Sequence, residues 1–128
     1  MSDIIIASGP VIIENKKVLL VKHGEDSFWK FCGGRVEDGE RNLKEVARRE
    51  ASEELGIKIN VLNEPPYFFY TEKGEEKRSV VLVHFLATYH GEVNPGVDIR
   101  DFRWLSKEDL STEDLAPNIL PTLEHFGF

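Results

Sequence analysis

Three glutamates at spacing i, i+3 and i+4, Glu50, Glu53 and Glu54, are the residues of this chain best arranged to do chemistry. They lie in the run from Leu43 to Leu55, which reads as one helix. At about 100° per residue, Leu43, Val46, Ala47 and Ala51 form a single apolar stripe. Glu50 and Glu54 point into that stripe, and Glu53 sits at its edge. A carboxylate turned toward a protein interior is costly unless something pairs with it. No Lys or Arg shares the stripe, so the expected partner is a divalent cation. Mg²⁺ or Mn²⁺ would relieve the mutual repulsion of three converging carboxylates, and hard oxygen ligands suit both ions. Such a metal can polarise phosphate oxygens and supply an activated water. The bland alternative for acidic residues at this spacing is a solvated face. It is strongest for Glu53, which could form a surface pair with Arg49.

The elements that must hold these groups can be read around them. Asn42 is placed to cap the helix start, with Glu45 three residues on as in a capping box. Gly56 is placed to stop the helix as a C′ residue. Just upstream lies a glycine-rich turn, Gly33-Gly34-Arg35-Val36-Glu37-Asp38-Gly39-Glu40. Ile4 to Glu14 reads as extended but broken at Gly9-Pro10, and Glu14 to Lys17 as a hairpin turn. Val18 to Lys22 reads as a buried strand, and Phe28 to Phe31 as a short strand entering the glycines. Lys58 to Leu62, Tyr67 to Thr71, Ser79 to Tyr89 and Val97 to Leu105 read as further strands. Ser106 starts a short capped helix. Leu120, Leu123 and Phe126 have the spacing of a terminal helix after Pro117. Strands and a few helices in one short chain predict a mixed sheet flanked by helices, an α/β (α+β) arrangement.

Bulk properties narrow the function. The 128 residues suggest a single domain over 1–128 with room for a real core. A net charge of −7 argues against a nucleic-acid polymer or an anionic membrane as partner. It does not argue against a small nucleotide, because a bound metal reverses the local sign. The single Cys32 rules out an internal disulfide and fits a reducing compartment. No apolar run is long enough to span a bilayer, and no signal peptide is evident at the N-terminus. The expected location is cytoplasmic, as a monomer or homodimer.

Gly34, five residues, Glu40, then Arg49-Glu50-Ala51-Ser52-Glu53-Glu54-Leu55-Gly56-Ile57 resembles the signature of the Nudix hydrolases, G-x5-E-x7-R-E-U-x-E-E-x-G-U, with U aliphatic. The match covers about a fifth of the chain and meets every fixed residue type. Eight residues rather than seven separate Glu40 from Arg49, and the extra one falls at Arg41-Asn42, before the helix. Cys32 stands where the family usually has proline. The resemblance implies an α/β/α sandwich around a curved mixed sheet and a metal-dependent attack of water on a diphosphate. It implies Glu50 and Glu54 as metal ligands, with Glu53 acting through the metal or its water. The carbonyl of Gly33 or Gly34 would be a further ligand. Arg49 would orient the glutamates, and Glu40 would brace the loop.

Positions outside the motif bear on substrate. In mutator-type members of the family, which hydrolyse oxidised purine nucleoside triphosphates, an acidic residue placed like Asp98 approaches the metals or the water. An asparagine placed like Asn118 reads the base there. His23 and Lys22, ending the second strand, resemble that subfamily's phosphate-contacting position, and Phe31 could pack beside the base. The competing readings are a loop cap for Asp98, a helix N-cap for Asn118 and a core aromatic for Phe31. The resemblance leans to a (deoxy)nucleoside triphosphate pyrophosphohydrolase releasing monophosphate and pyrophosphate. ADP-ribose or a nucleotide sugar is the competing substrate class. A nucleotide-binding module without catalysis is the reading from a different class.

Overall fold

The computed structural model describes residues 4–128. The Met1-Ser2-Asp3 end of the signal-peptide reading lies outside them. The elements, in order, are β1 (Ile5–Glu14), β2 (Lys17–His23), β3 (Gly34–Arg35), α1 (Leu43–Leu55), β4 (Lys58–Val61), β5 (Tyr67–Lys73), β6 (Arg78–His90), β7 (Ile99–Ser106), α2 (Lys107–Leu110) and α3 (Ile119–His125). Among the described residues the sheet runs β4-β6-β1-β2-β7, with β3 also on β1 and β5 also on β6. It is mixed: β1 and β6 are parallel from Ile5↔Val80 to Ile12↔Ala87, and the other pairings are antiparallel.

Period-two alternation splits each central strand between two cores. Ile12, Leu19 and Val83 pack with Ala47, Ala51 and Leu55 of α1 on one face. Their chain neighbours Val11, Val18 and Leu20 pack on the other face with Trp29, Leu110 of α2, and Ile119 and Leu123 of α3. Helices therefore cover both faces, giving an α/β/α sandwich. The β1–β2 connection is tight because Asn15 (φ 51°) and Lys16 (φ 63°) both take left-handed backbone, the geometry that matches strand twist in two-residue hairpins.

Three sequence expectations change. Gly9-Pro10 does not break β1, which is continuous from Ile5 to Glu14. On the edge away from β6, β1 pairs β3 at Ala7-Ser8 and β2 at Ile13-Glu14, so Pro10 falls in the gap between two partners. A proline is tolerated where no ladder donor is required. Phe28–Phe31 is not a strand. It makes only isolated bridges, Val21↔Lys30 and Trp29↔Leu115. In α3, Leu120 is exposed, and the buried residues are Ile119, Thr122 and Leu123. Leu123 and Phe126 pack on the core as read, and Ile119 takes the place expected of Leu120.

Candidate active site

Helix α1 is fixed at both ends by its own sequence. Asn42 Oδ1 accepts from the Lys44 and Glu45 amides at 2.9 and 3.3 Å. Glu45 does not complete a capping box; its carboxylate pairs with Arg48. Gly56 ends the helix in left-handed backbone at φ 66°. The following loop then covers the helix's last carbonyls: Asn94 N–H donates to Leu55 O and Gly96 N–H to Glu54 O, each at 2.8 Å. That docking brings Asp98 to the same hollow as Glu50, Glu53 and Glu54. The opposite wall is the glycine turn. Gly33 lies so close to β1 that a Cβ on it would stand 2.7 Å from Ser8 O. A Cβ on Gly34 would stand 2.6 Å from Glu50 Oε2. Both positions need glycine because backbone and carboxylate meet directly.

The side-chain exposures grade the glutamates: 11% for Glu50, 13% for Glu54 and 58% for Glu53. Burial, then the neighbouring Glu54, pushes the Glu50 carboxyl above its ordinary range. No Lys or Arg shares the apolar stripe, yet Arg49 reaches these carboxylates from outside it. Arg49 Nη1 lies 3.1 Å from Glu50 Oε1 and 3.2 Å from Glu53 Oε2. A long guanidinium stem reaches groups that its Cβ direction does not face. The same guanidinium grips Glu40 bidentately, Nε to Oε2 at 2.9 Å and Nη2 to Oε1 at 2.8 Å. That contact holds the Glu40 carboxyl below its ordinary range and strengthens the charge on Arg49. Glu40 also accepts from the Glu37 amide at 2.8 Å, so it ties the turn to the helix. The extra residue at Arg41-Asn42 is absorbed, since Asn42 becomes the helix cap while Glu40 still reaches Arg49.

Glu54 faces two other groups. Its Oε1 accepts from Gly33 N–H at 3.1 Å, and its Oε2 lies 2.9 Å from His23 Nε2. The imidazole nitrogen makes no hydrogen bond despite that distance, so the contact is one of proximity. Cys32 is buried beneath the turn, its thiol donating weakly to Glu50 O at 3.8 Å. Burial, then Glu54, raises the thiol's pKa well above normal, so it is an inert packing group.

The match to a NUDIX domain covers residues 6–126. The chain belongs to the Nudix family. It is therefore a hydrolase acting on phosphoric anhydride bonds. It is 30% identical, over 92% of its length and 93% of the relative's, to a nucleoside triphosphatase, NudI, of Escherichia coli O139:H28. The solution structure of the E. coli ORF135 protein superposes with a TM-score of 0.79 at 26% identity, covering 98% of this chain and 90% of that one. A MutT NUDIX hydrolase from Burkholderia pseudomallei gives a TM-score of 0.81 at 22% identity, covering 95% and 97%.

Around the Nudix glutamates the structure sorts the remaining sequence candidates. A second hollow of about 510 Å³ adjoins the acidic one of about 330 Å³, and the two share His23, Gly33 and Gly34. Phe31 and Asn118 line the larger hollow. Asn118 occupies the N-cap position of α3, its carbonyl accepting from Thr122 N–H at 3.1 Å, but its side chain makes no cap bond. Lys22 lines neither hollow. It points to the other face of β2, with its ammonium 4.6 Å from the Trp29 ring centre. Sequence reasoning passed over Lys30, Arg35 and His84, which also line the larger hollow. His84 carried a readable signal: one imidazole in the otherwise apolar run Val80–Phe85.

Proposed function

We propose that this Nudix hydrolase is a divalent-metal-dependent nucleoside triphosphate pyrophosphohydrolase, yielding a monophosphate and pyrophosphate. The observation that carries the reading is an acidic hollow joined through Gly33, Gly34 and His23 to a larger, mostly apolar one. One suits a metal and phosphates, and the other suits a base and sugar. The 30% identity to a nucleoside triphosphatase over nearly the whole chain favours the same class.

The donor set fits Mg²⁺ or Mn²⁺: carboxylates of Glu50, Glu53 and Glu54 with the carbonyl oxygens of the glycine turn, all hard oxygens. Among the described residues no three acidic, His or Cys side chains already stand in a metal-binding arrangement. Arg49 holds Glu50 and Glu53, and His23 and Gly33 hold Glu54, so these contacts must loosen for the carboxylates to converge. The raised pKa of Glu50 marks a carboxylate still under-compensated by Arg49. When bound, the metal supplies Lewis-acid polarisation of the diphosphate and a more acidic water.

The chain's own groups do the rest. Arg49, anchored on Glu40, orients Glu50 and Glu53. Glu53, the most exposed of the three, accepts the proton as water oxygen bonds to phosphorus and the anhydride P–O bond breaks. Asp98 faces the same space and assists in placing that water. His23 and the positively charged Lys30 and Arg35 line the path of the phosphates. Asn118 and Phe31 take the base.

Pyrophosphate release measured over a panel of nucleoside triphosphates, ADP-ribose and a nucleotide sugar, with Mg²⁺ titrated, tests the proposal. Triphosphates, oxidised purines among them, are expected to turn over, and Glu54→Gln is expected to abolish the Mg²⁺-dependent rate while the protein stays folded. Turnover confined to ADP-ribose or sugar nucleotides would overturn the substrate class. Activity surviving in Glu54→Gln would overturn the metal assignment.

A further inference from the structure

His84 sits in β6 among Val80, Val83 and Phe85, all buried, and is itself only 6% exposed. A polar ring placed there is costly unless it has a use. Its ring centre lies 4.8 Å from that of Phe31, tilted by 44°. Both rings line the larger hollow, as does Asn118, 3% exposed and with no side-chain cap bond. Two polar side chains that are more than nine-tenths buried thus line one space. The rest of that wall includes the apolar Ile5, Ala7, Val80 and Leu82.

Burial alone lowers the His84 pKa to about 4, with no hydrogen bond or charge contributing. At neutral pH the ring is therefore uncharged, with one N–H donor and one lone-pair acceptor. To a phosphate it offers one neutral N–H and no charge, and its acceptor nitrogen would go unused. A ribose presents hydroxyls but no flat face. A nucleobase presents both a flat face and an edge of paired donors and acceptors, which matches an aromatic ring, an imidazole and a carboxamide together.

We infer that His84 is a base-reading residue, hydrogen-bonding the edge of the substrate's nucleobase beside Asn118 while Phe31 supports the ring. This deepens the nucleotide-hydrolase reading and rests on it for the identity of the ligand. It assigns base discrimination to the central strand β6 as well as to the start of α3.

The test uses ligands that bind without turnover or metal. Affinities of the four nucleoside monophosphates and of ribose 5-phosphate, which lacks a base, are measured by calorimetry for the unmodified protein, His84→Phe and His84→Gln. His84→Phe keeps an aromatic ring against Phe31 and removes both polar atoms. It is expected to weaken the best-bound monophosphate by about tenfold or more, leaving ribose 5-phosphate within about twofold, with His84→Gln recovering part of the loss. In the unmodified protein, the ¹⁵N resonances of the His84 ring are expected to shift on adding that monophosphate and not on adding ribose 5-phosphate. Equal weakening of both ligands, unchanged affinity for both, or a ring signal indifferent to the base would overturn the inference. Should His84→Phe fail to fold, the ¹⁵N experiment decides alone. The hydrolysis panel fails or succeeds independently of these binding measurements, so the two readings can fall separately.

Discussion

At the scale of single residues, the site depends on where one carboxylate is held. Glu50 is pressed against Gly34, gripped by Arg49 and repelled by Glu54. Adding one methyl at Gly34 puts a Cβ 2.6 Å from Glu50 Oε2. The group it strikes is the end of a flexible side chain, so the fold can survive while the carboxylate moves. Gly34→Ala is therefore expected to lower kcat/KM by about 100-fold, the usual cost of misplacing a catalytic group by about an ångström. A thermal melt should stay near that of the parent. A variant with unchanged kinetics would show that Glu50 need not sit against the turn. The inward direction of Glu50 and Glu54 was legible because helical periodicity fixes Cβ directions. The grip of Arg49 on Glu50 was legible only through the family resemblance, because a long side chain turns away from its Cβ direction. Lys22 misled for a related reason. Ending a strand next to the site says nothing of the face, and alternation sends Lys22 to Trp29 and His23 to Glu54.

At the scale of elements, local signals placed α1 and the ends of β1 well but put a break inside β1 that the sheet does not have. Asn42 and Gly56 are caps whose mechanism is local, and the helix between them runs from Leu43 to Leu55 as read. Gly9-Pro10 looked like a break because those residues usually punctuate. Only the sheet shows that Pro10 lies between two partners on one edge and that Gly9 serves a close approach. A Cβ on Gly9 would overlap the Cys32 carbonyl and come within 2.8 Å of Gly33 Cα. Both are backbone atoms and cannot step aside as a side chain can. Gly9→Ala is thus expected to destabilise the protein by about 2–3 kcal/mol, as overpacking does, and to push the glycine turn away from α1. Urea unfolding would show the lower midpoint. A midpoint equal to the parent's would mean that the turn does not bear on β1. The contrast with Gly34→Ala is diagnostic: one glycine protects the sheet, and the other makes room for a carboxylate.

At the scale of the whole molecule, the sandwich puts two buried titratable groups with opposite pH dependence beside one cleft. Glu50 has its pKa raised from 4.5, by burial first. Its protonated form is favoured in the folded state, so its contribution is present below about pH 4.5 and is lost as pH rises through the raised value. His84 runs the other way. Its pKa falls from the ordinary 6.5 to about 4, so between those values the unfolded chain binds more protons than the folded one. Stability then falls as pH drops from 6.5 toward 4, by on the order of 3 kcal/mol in the limit. Neither group would be noticed from the net charge of −7, which is dominated by solvated residues. Unfolding free energy measured by urea from pH 7 to pH 4 is expected to decline in the parent. In His84→Phe, which has no proton to take up at that position, the decline should be shallower by most of the His84 contribution. A parent and variant with parallel profiles would mean that the imidazole titrates normally in the folded state, and therefore that the floor of the larger hollow is wetter than its geometry indicates.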